Sequence, residues 1–131
     1  MKTLNEIANE GLRAQSQNER HAQGYGGKMT ISELTNLIHT NAIEKGFWQK
    51  PETEREKILH EATAISLIGS EVMEALEAHR CGDVVNLCEE LADVVIRTLD
   101  LCCHMNINIE TEIIAKMEKN RNRPPMHGKR Y

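Results

Sequence analysis

Apolar residues recur along most of this chain at the three- and four-residue spacing of amphipathic α-helices. The four strongest segments run from Thr30 to Gly46, from Thr53 to about Arg80, from Asp83 to about Met105 and from roughly Ile109 to Asn120. A weaker and mostly polar segment, from Thr3 to about Arg20, predicts a peripheral helix. Short connections between long helices favour antiparallel neighbours. The pattern therefore predicts an all-α fold, an antiparallel helix bundle.

Residues that favour helix ends stand at these boundaries. Thr30 and Glu33 fit a capping box, Thr53 and Glu56 fit a second one, and Asp83 is a suitable N-cap for the third segment. The expected stops are Gly46, Gly82, Asn106–Asn108 and Pro124-Pro125. Starts and stops thus agree with the apolar spacing.

The apolar face of the second helix is wider than one neighbour would cover. One stripe consists of Ile58, Ala62, Ile65, Val72 and Leu76, and Leu59, Leu67, Ile68 and Met73 broaden it. A helix that is apolar over so much of its circumference needs cover on more than one side. We therefore expect a four-helix core that is completed by oligomerisation, in a homodimer or a homotetramer.

Length and charge bound the remaining possibilities. The 131 residues suit one domain, which we place at residues 30–131, after an N-terminal helical extension and linker at residues 1–29. The net charge is −4, with acids in the middle and bases towards the tail, so the chain lacks the uniform basic surface of a nucleic-acid-binding protein. No apolar run approaches the roughly 20 residues of a membrane span. Four cysteines without a C-x-x-C pair predict a cytoplasmic protein with reduced thiols.

Two pairs of acidic residues carry the candidate chemistry. Glu71 and Glu74 are three apart, as are Glu90 and Asp93, so each pair lies on one helical face. Glu74 and Glu90 are each eight residues from Gly82, and Glu71 and Asp93 are each eleven. If the two helices fold back at Gly82, the pairs meet at heights that differ by about 4.5 Å. Four carboxylates then converge on one small volume.

Converging carboxylates repel each other unless a cation lies among them, and hard oxygen ligands select Mg²⁺, Mn²⁺ or Ca²⁺ over zinc. Mg²⁺ keeps positions open for water and for phosphate oxygens. The flanking residues Val72, Met73, Leu91, Val94 and Val95 are apolar, which predicts that the surface around the acids is largely buried. The alternative to a metal site is a solvated acidic face. A zinc site made of His79, Cys81 and Cys88 lacks a standard spacing. A di-iron bundle would require Glu-x-x-His, which neither pair provides.

The order of these motifs resembles that of the MazG-like all-α nucleoside triphosphate pyrophosphohydrolases. Glu-x-x-Glu on one helix is followed by Glu-x-x-Asp on the next. The similar segments are Gly46–Trp48, Leu67–Ala78, Glu89–Val95, Lys116–Asn120 followed by Arg123-Pro124, and Gly128–Tyr131. The resemblance covers about Thr30 to Tyr131, and the ordered set is far more specific than one acidic pair.

The resemblance implies a role for several side chains. Glu71, Glu74, Glu90 and Asp93 would bind Mg²⁺. Lys116 and Asn120 would contact triphosphate or sugar, Arg123 would add a phosphate contact, and Trp48 and His39 would lie on the side of the base. From the residues alone, the alternatives are a surface lysine for Lys116 and a packing residue at a helix end for Trp48. For His39 the residues alone favour an exposed histidine.

The implied reaction is NTP or dNTP + H₂O → NMP or dNMP + PPi. Glu71 and Glu74 are the catalytic candidates, and Glu74 is the first choice for accepting the proton of the attacking water. Two alternatives stay open. One is a related enzyme, specific for dUTP or dCTP or acting on phosphoribosyl-ATP. The other is a non-catalytic helical module that binds metal or a partner protein.

Overall fold

A computed structural model describes residues 28–124 of the chain. They form four helices and no strand: α1 (Ile31–Glu44), α2 (Glu54–Cys81), α3 (Val84–His104) and α4 (Ile109–Arg121). The predicted all-α class and all four predicted helices are confirmed. The predicted helix from Thr3 to Arg20, most of the proposed 1–29 extension and the segment Gly128–Tyr131 lie outside the described residues.

Local side chains explain where the helices begin. The Thr30 hydroxyl accepts from the Glu33 backbone N–H, and the Glu33 carboxylate accepts from the Thr30 N–H, which completes the predicted capping box. At α2 only half of the predicted box forms. Thr53 accepts from the Glu56 N–H, but the Glu56 carboxylate accepts from Glu52 instead. The predicted second box is wrong in that respect.

The turn between α2 and α3 is short and well defined. Gly82 has a φ of +71°, the left-handed conformation that glycine adopts without a steric penalty. Asp83 then caps α3 by accepting from the Asn86 N–H at 3.0 Å. So short a connection returns α3 antiparallel along α2, as the sequence predicted, and this pair is the main packing contact of the fold.

The other helices are arranged around α3. α1 packs against α3, and α4 packs on α1, where the Ser32 hydroxyl donates to the Glu110 carboxylate at 2.9 Å. The buried apolar residues are small or lie towards the end of α3: Ala75, Ala78, Leu99, Leu101 and Cys102. None of the described side chains is completely buried.

Much aliphatic surface is open in the single chain. The expected core stripe of α2 is exposed, with Ile58, Ile65, Val72 and Leu76 each about half accessible to solvent. Leu91 and Val95 of α3 are also about half exposed. The prediction of a buried surface around the acids is therefore wrong for one chain. α3 covers only the face of α2 that carries Glu71, Ala75 and Ala78, which leaves the wide stripe on the other side uncovered.

Candidate metal and nucleotide site

Three of the four predicted carboxylates converge between α2 and α3. Glu71, Glu90 and Asp93 each place one oxygen within 4.8 Å of the oxygens of the other two. Glu71 is only 7% exposed, Glu90 is half-buried and Asp93 is exposed, so the cluster opens from the helix interface to the surface. We call these three residues the acid cluster.

Glu74 lies beside the acid cluster without joining it. Its carboxylate is exposed and accepts a hydrogen bond from the Ser70 hydroxyl, one turn earlier on α2, at 3.3 Å. Its charge nevertheless acts on Glu90, because it is one of the groups that raise the pKa of that residue. The carboxylate of Glu74 is therefore near the cluster and open to solvent.

The pKa of Glu90 is raised above the ordinary value of a glutamate by its surroundings in the acid cluster. Desolvation is the largest cause of its raised pKa, and the charge of Glu74 is the next. A hydrogen bond with Glu71 and the charges of Glu71 and Asp93 add to the effect. A cation among these oxygens would reverse the balance, since opposite charge favours the ionised form.

Arg97 supplies a positive charge that the sequence analysis missed. Its Nε donates to Oε1 of Glu71 at 2.6 Å, which compensates a carboxylate that is otherwise buried. Arg97 follows Asp93 by four residues on α3, so that spacing was a signal that could have linked it to the acid cluster.

The donor set of the acid cluster fits a hard divalent cation. Three carboxylate oxygens from two helices match the oxygen ligands that Mg²⁺ and Mn²⁺ prefer, and Mg²⁺ usually retains several waters that phosphate oxygens can replace. The alternative zinc site is not formed in the described part of the chain, where this cluster is the only group of three or more potential ligands.

A cleft of about 470 Å³ starts at the acid cluster and runs along α3. Asp93, Arg97 and Asp100 line it on one side, and they succeed each other on one face of the helix. The far end is lined by Trp48 and Phe47, from the loop between α1 and α2, and the walls are completed by Ile38, Ala42, His60, Ala64, Leu67 and Ile96 among others. Acidic and aromatic ends thus belong to one concave surface.

Asp100 organises the aromatic end of the cleft. It accepts from the Trp48 indole N–H, with distances of 2.9 and 2.8 Å to its two oxygens. It also accepts from Nδ1 of His39 at 2.7 Å. His104 stacks on the Trp48 ring, with centroids 3.8 Å apart and planes 9° from parallel. Trp48 is therefore held by its edge and by one face.

These contacts change the interpretation of His39. The sequence alone suggested an exposed histidine, but its side chain is only 17% accessible and bonded to Asp100. The exposed interpretation is wrong because α1 packs against α3 at this height. Trp48 is both a packing residue, through Asp100 and His104, and a wall of the cleft.

The basic residues predicted on α4 lie elsewhere. Lys116 and Asn120 are exposed, on a helix that packs chiefly on α1. Arg123 follows α4, and its backbone N–H donates to the Asn120 carbonyl at 3.1 Å. None of the three lines the cleft of its own chain. Within one described chain they are not brought together with the acid cluster.

Comparison with known proteins gives one family. The model of the MazG nucleotide pyrophosphohydrolase domain matches residues 59–127, more than half of the chain. The match contains the acid cluster, Glu74, Arg97 and the α4 residues, and it begins after His39 and Trp48. No curated protein and no solved structure matches. Across residues 28–124, no helix has the length and apolar character needed to cross a membrane.

Proposed function

The chain belongs to the MazG nucleotide pyrophosphohydrolase family, and from that membership we propose that it hydrolyses a nucleoside or deoxynucleoside triphosphate to the monophosphate and pyrophosphate, with Mg²⁺. Mn²⁺ would substitute. The observation that carries the proposal is the single cleft that joins the acid cluster, through Asp93, to Trp48. A nucleotide needs both ends, one for its metal-bound phosphates and one for its base.

The spacing along α3 supports attack at the α-phosphorus. Asp93 and Asp100 are seven residues apart, which corresponds to about 10 Å of helix, roughly the length of a nucleoside. A base beside Trp48 then puts the first phosphate near Asp93, and the β- and γ-phosphates lie beyond it. The bond that breaks under this arrangement joins the α-phosphorus to the oxygen that bridges it to the β-phosphorus.

Glu71, Glu90 and Asp93 would hold the metal, with Glu74 as the fourth carboxylate beside them. Bound Mg²⁺ would neutralise phosphate charge and orient the phosphate for in-line attack. Glu74 is the residue we propose for accepting the water proton, because its carboxylate is exposed and lies outside the compact cluster. The proton would rest on a Glu74 oxygen while the water oxygen bonds to the α-phosphorus and pyrophosphate leaves.

Trp48 is the proposed wall for the base, because an aromatic face stacks on any nucleobase. His39 is held next to it by Asp100. Lys116, Asn120 and Arg123 remain proposed contacts for the triphosphate or sugar. Since they do not line the cleft of their own chain, they would meet a part of the substrate that projects from it, or the cleft of a second copy.

We also propose a homodimer, with a homotetramer as the alternative. The exposed aliphatic residues of α2 and α3 support this assembly, because monomeric proteins rarely expose contiguous apolar surface on this scale. A second copy would complete a four-helix core from the two antiparallel pairs. A monomeric mass in light scattering at micromolar concentration would contradict it. A cytoplasmic location is proposed from the four cysteines, which are all unpaired.

Phosphorus NMR of reactions with the eight common NTPs and dNTPs tests the function. We expect pyrophosphate to grow without orthophosphate, in an amount equal to the monophosphate. Asp93→Asn should abolish the signal, and Asp83→Asn, the same change at a helix cap, should leave it intact. Orthophosphate as the first product would mean that a different bond breaks. Phosphoribosyl-ATP, added to the panel, separates the related activity, and absence of turnover on every substrate would favour a non-catalytic module.

A further inference from the structure

Arg97 links the two halves of the cleft. Among the described residues it is the basic side chain that both contacts the acid cluster and lines the cleft. Its partner Glu71 is 9% exposed at the side chain, while Arg97 itself is 38% exposed. The inner end of the guanidinium is therefore fixed at the helix interface, and its outer end reaches the cleft.

Most donors of Arg97 have no acceptor among the residues that the structure describes. A guanidinium carries five N–H donors, of which Nε has one and the two terminal nitrogens have four. Nε donates to Glu71, and no contact engages the terminal nitrogens within residues 28–124. These terminal groups form a planar fork that matches the oxygens of a phosphate. An acceptor in the cleft can therefore bind to Arg97 while Nε stays on Glu71.

The position of Arg97 on α3 selects which phosphate it would meet. It lies four residues after Asp93, at the metal end, and three before Asp100, which holds Trp48. All three residues line the same cleft. With the base beside Trp48 and the α-phosphate near Asp93, Arg97 lies one helical turn from the α-phosphate, on the side of the sugar and away from the β- and γ-phosphates.

We propose that Arg97 is a bridging residue that holds Glu71 through Nε and binds the α-phosphate of the nucleotide through its terminal nitrogens. This inference rests on the proposed function and adds a specific contact to it. The contact persists in the monophosphate product and is absent from pyrophosphate. It places one positive charge beside the reacting phosphorus, where the negative charge is to be neutralised.

Product binding tests the proposal without turnover. The probes are dAMP, dCMP, dGMP and dUMP, and pyrophosphate, each titrated by calorimetry into the full-length protein in Mg²⁺. Arg97→Met removes both contacts of the side chain, and Arg97→Lys retains the charge with a single nitrogen. Arg80→Met is the matched control, since Arg80 lies on α2, is 71% exposed and pairs only with Glu77 among the described residues.

We expect Arg97→Met to raise the Kd of the tightest-binding monophosphate about tenfold or more, because a charge-assisted contact is lost. The Kd of pyrophosphate should stay within about threefold, and Arg80→Met should change neither. Equal losses for monophosphate and pyrophosphate would overturn the assignment to the α-phosphate. An unchanged monophosphate Kd would overturn the phosphate contact altogether.

Thermal melting tests the contact between Arg97 and Glu71. Without metal, Arg97→Met should melt below wild type, because a buried carboxylate loses its partner. If that variant does not fold, Arg97→Lys decides, because an ammonium is a point charge without the separate Nε and planar terminal fork of the guanidinium. A lysine variant with both the wild-type melting temperature and the wild-type monophosphate Kd would refute the bridge. A wild-type protein that binds neither monophosphate nor pyrophosphate would instead contradict the proposed function, and this inference with it.

Discussion

The replacement Asp100→Asn should loosen the aromatic end of the cleft. The Asp100 carboxylate accepts from Trp48 and His39 with donor–acceptor distances between 2.7 and 2.9 Å. Its side chain is only 17% exposed, so water does little to replace a lost contact. An amide has one acceptor oxygen and one donor nitrogen. In Asp100→Asn, at least one of the two N–H groups, from Trp48 or His39, would then face the amide nitrogen, which is itself a donor. The other N–H would have only a neutral acceptor.

The expected size follows from these two contacts. A hydrogen bond to a charged group contributes about 1.5–3 kcal/mol and a neutral one about 0.5–1.5 kcal/mol. Losing the charge at both donors therefore lowers the free energy of unfolding by about 2 kcal/mol. For a domain of this size that corresponds to a fall in Tm of roughly 8 °C.

Two assays measure the change separately. Circular dichroism gives the Tm. The emission of Trp48, the single tryptophan of the chain, should shift to longer wavelength as the indole becomes free to meet water. Asp83→Asn is the matched control, because Asn and Asp cap helices about equally well. Its Tm should stay near that of wild type, since Asp83 only caps α3.

Equal Tm values for Asp100→Asn and Asp83→Asn, together with a wild-type Trp48 emission in Asp100→Asn, would refute this prediction. Asp100 would then contribute no more than an exposed cap. A fall in Tm without any change in emission would also count against it, because the loss would then come from somewhere other than the indole contact.

Three further predictions concern metal, substrate and pH. Glu90→Gln should abolish the difference in Tm between Mg²⁺ and EDTA that we expect for wild type, whereas Glu89→Gln, next to it but outside the acid cluster, should retain that difference. Lys116→Ala should lower kcat/KM at least fivefold and leave the Mg²⁺-dependent rise in Tm intact, because a lysine cannot bind the cation; a change below twofold would make it a surface lysine. The pKa of His104 is lowered, and burial is the largest cause. As the pH drops through about 6.5, His104 is therefore protonated in the unfolded chain before it is protonated in the folded one, and the free energy of unfolding should fall. His104→Phe, which preserves an aromatic ring against Trp48, should flatten the melting profile between pH 7.5 and 5.5, and parallel profiles would contradict this origin.

Local sequence was sufficient for the helices and their ends. The capping box at Thr30, the left-handed turn at Gly82 and the N-cap at Asp83 each depend on residues a few positions apart. For the same reason the two acidic pairs could be placed opposite each other. The turn fixes the register of α2 against α3, and the register brings Glu71 to Glu90 and Asp93. The resemblance to the family added the reaction, which no spacing specifies.

Contacts between distant segments decided the rest. Arg97 reaches Glu71 across 26 positions, and Asp100 reaches His39 and Trp48 across 61 and 52. Helical periodicity says which residues share a face, but not which face meets which neighbour. The wide stripe of α2 was therefore recognised as apolar, while its exposure depends on α3 covering the other side. Likewise the position of α4 on α1, away from the acid cluster, depends on the path of the chain after α3 and not on the residues of α4 themselves.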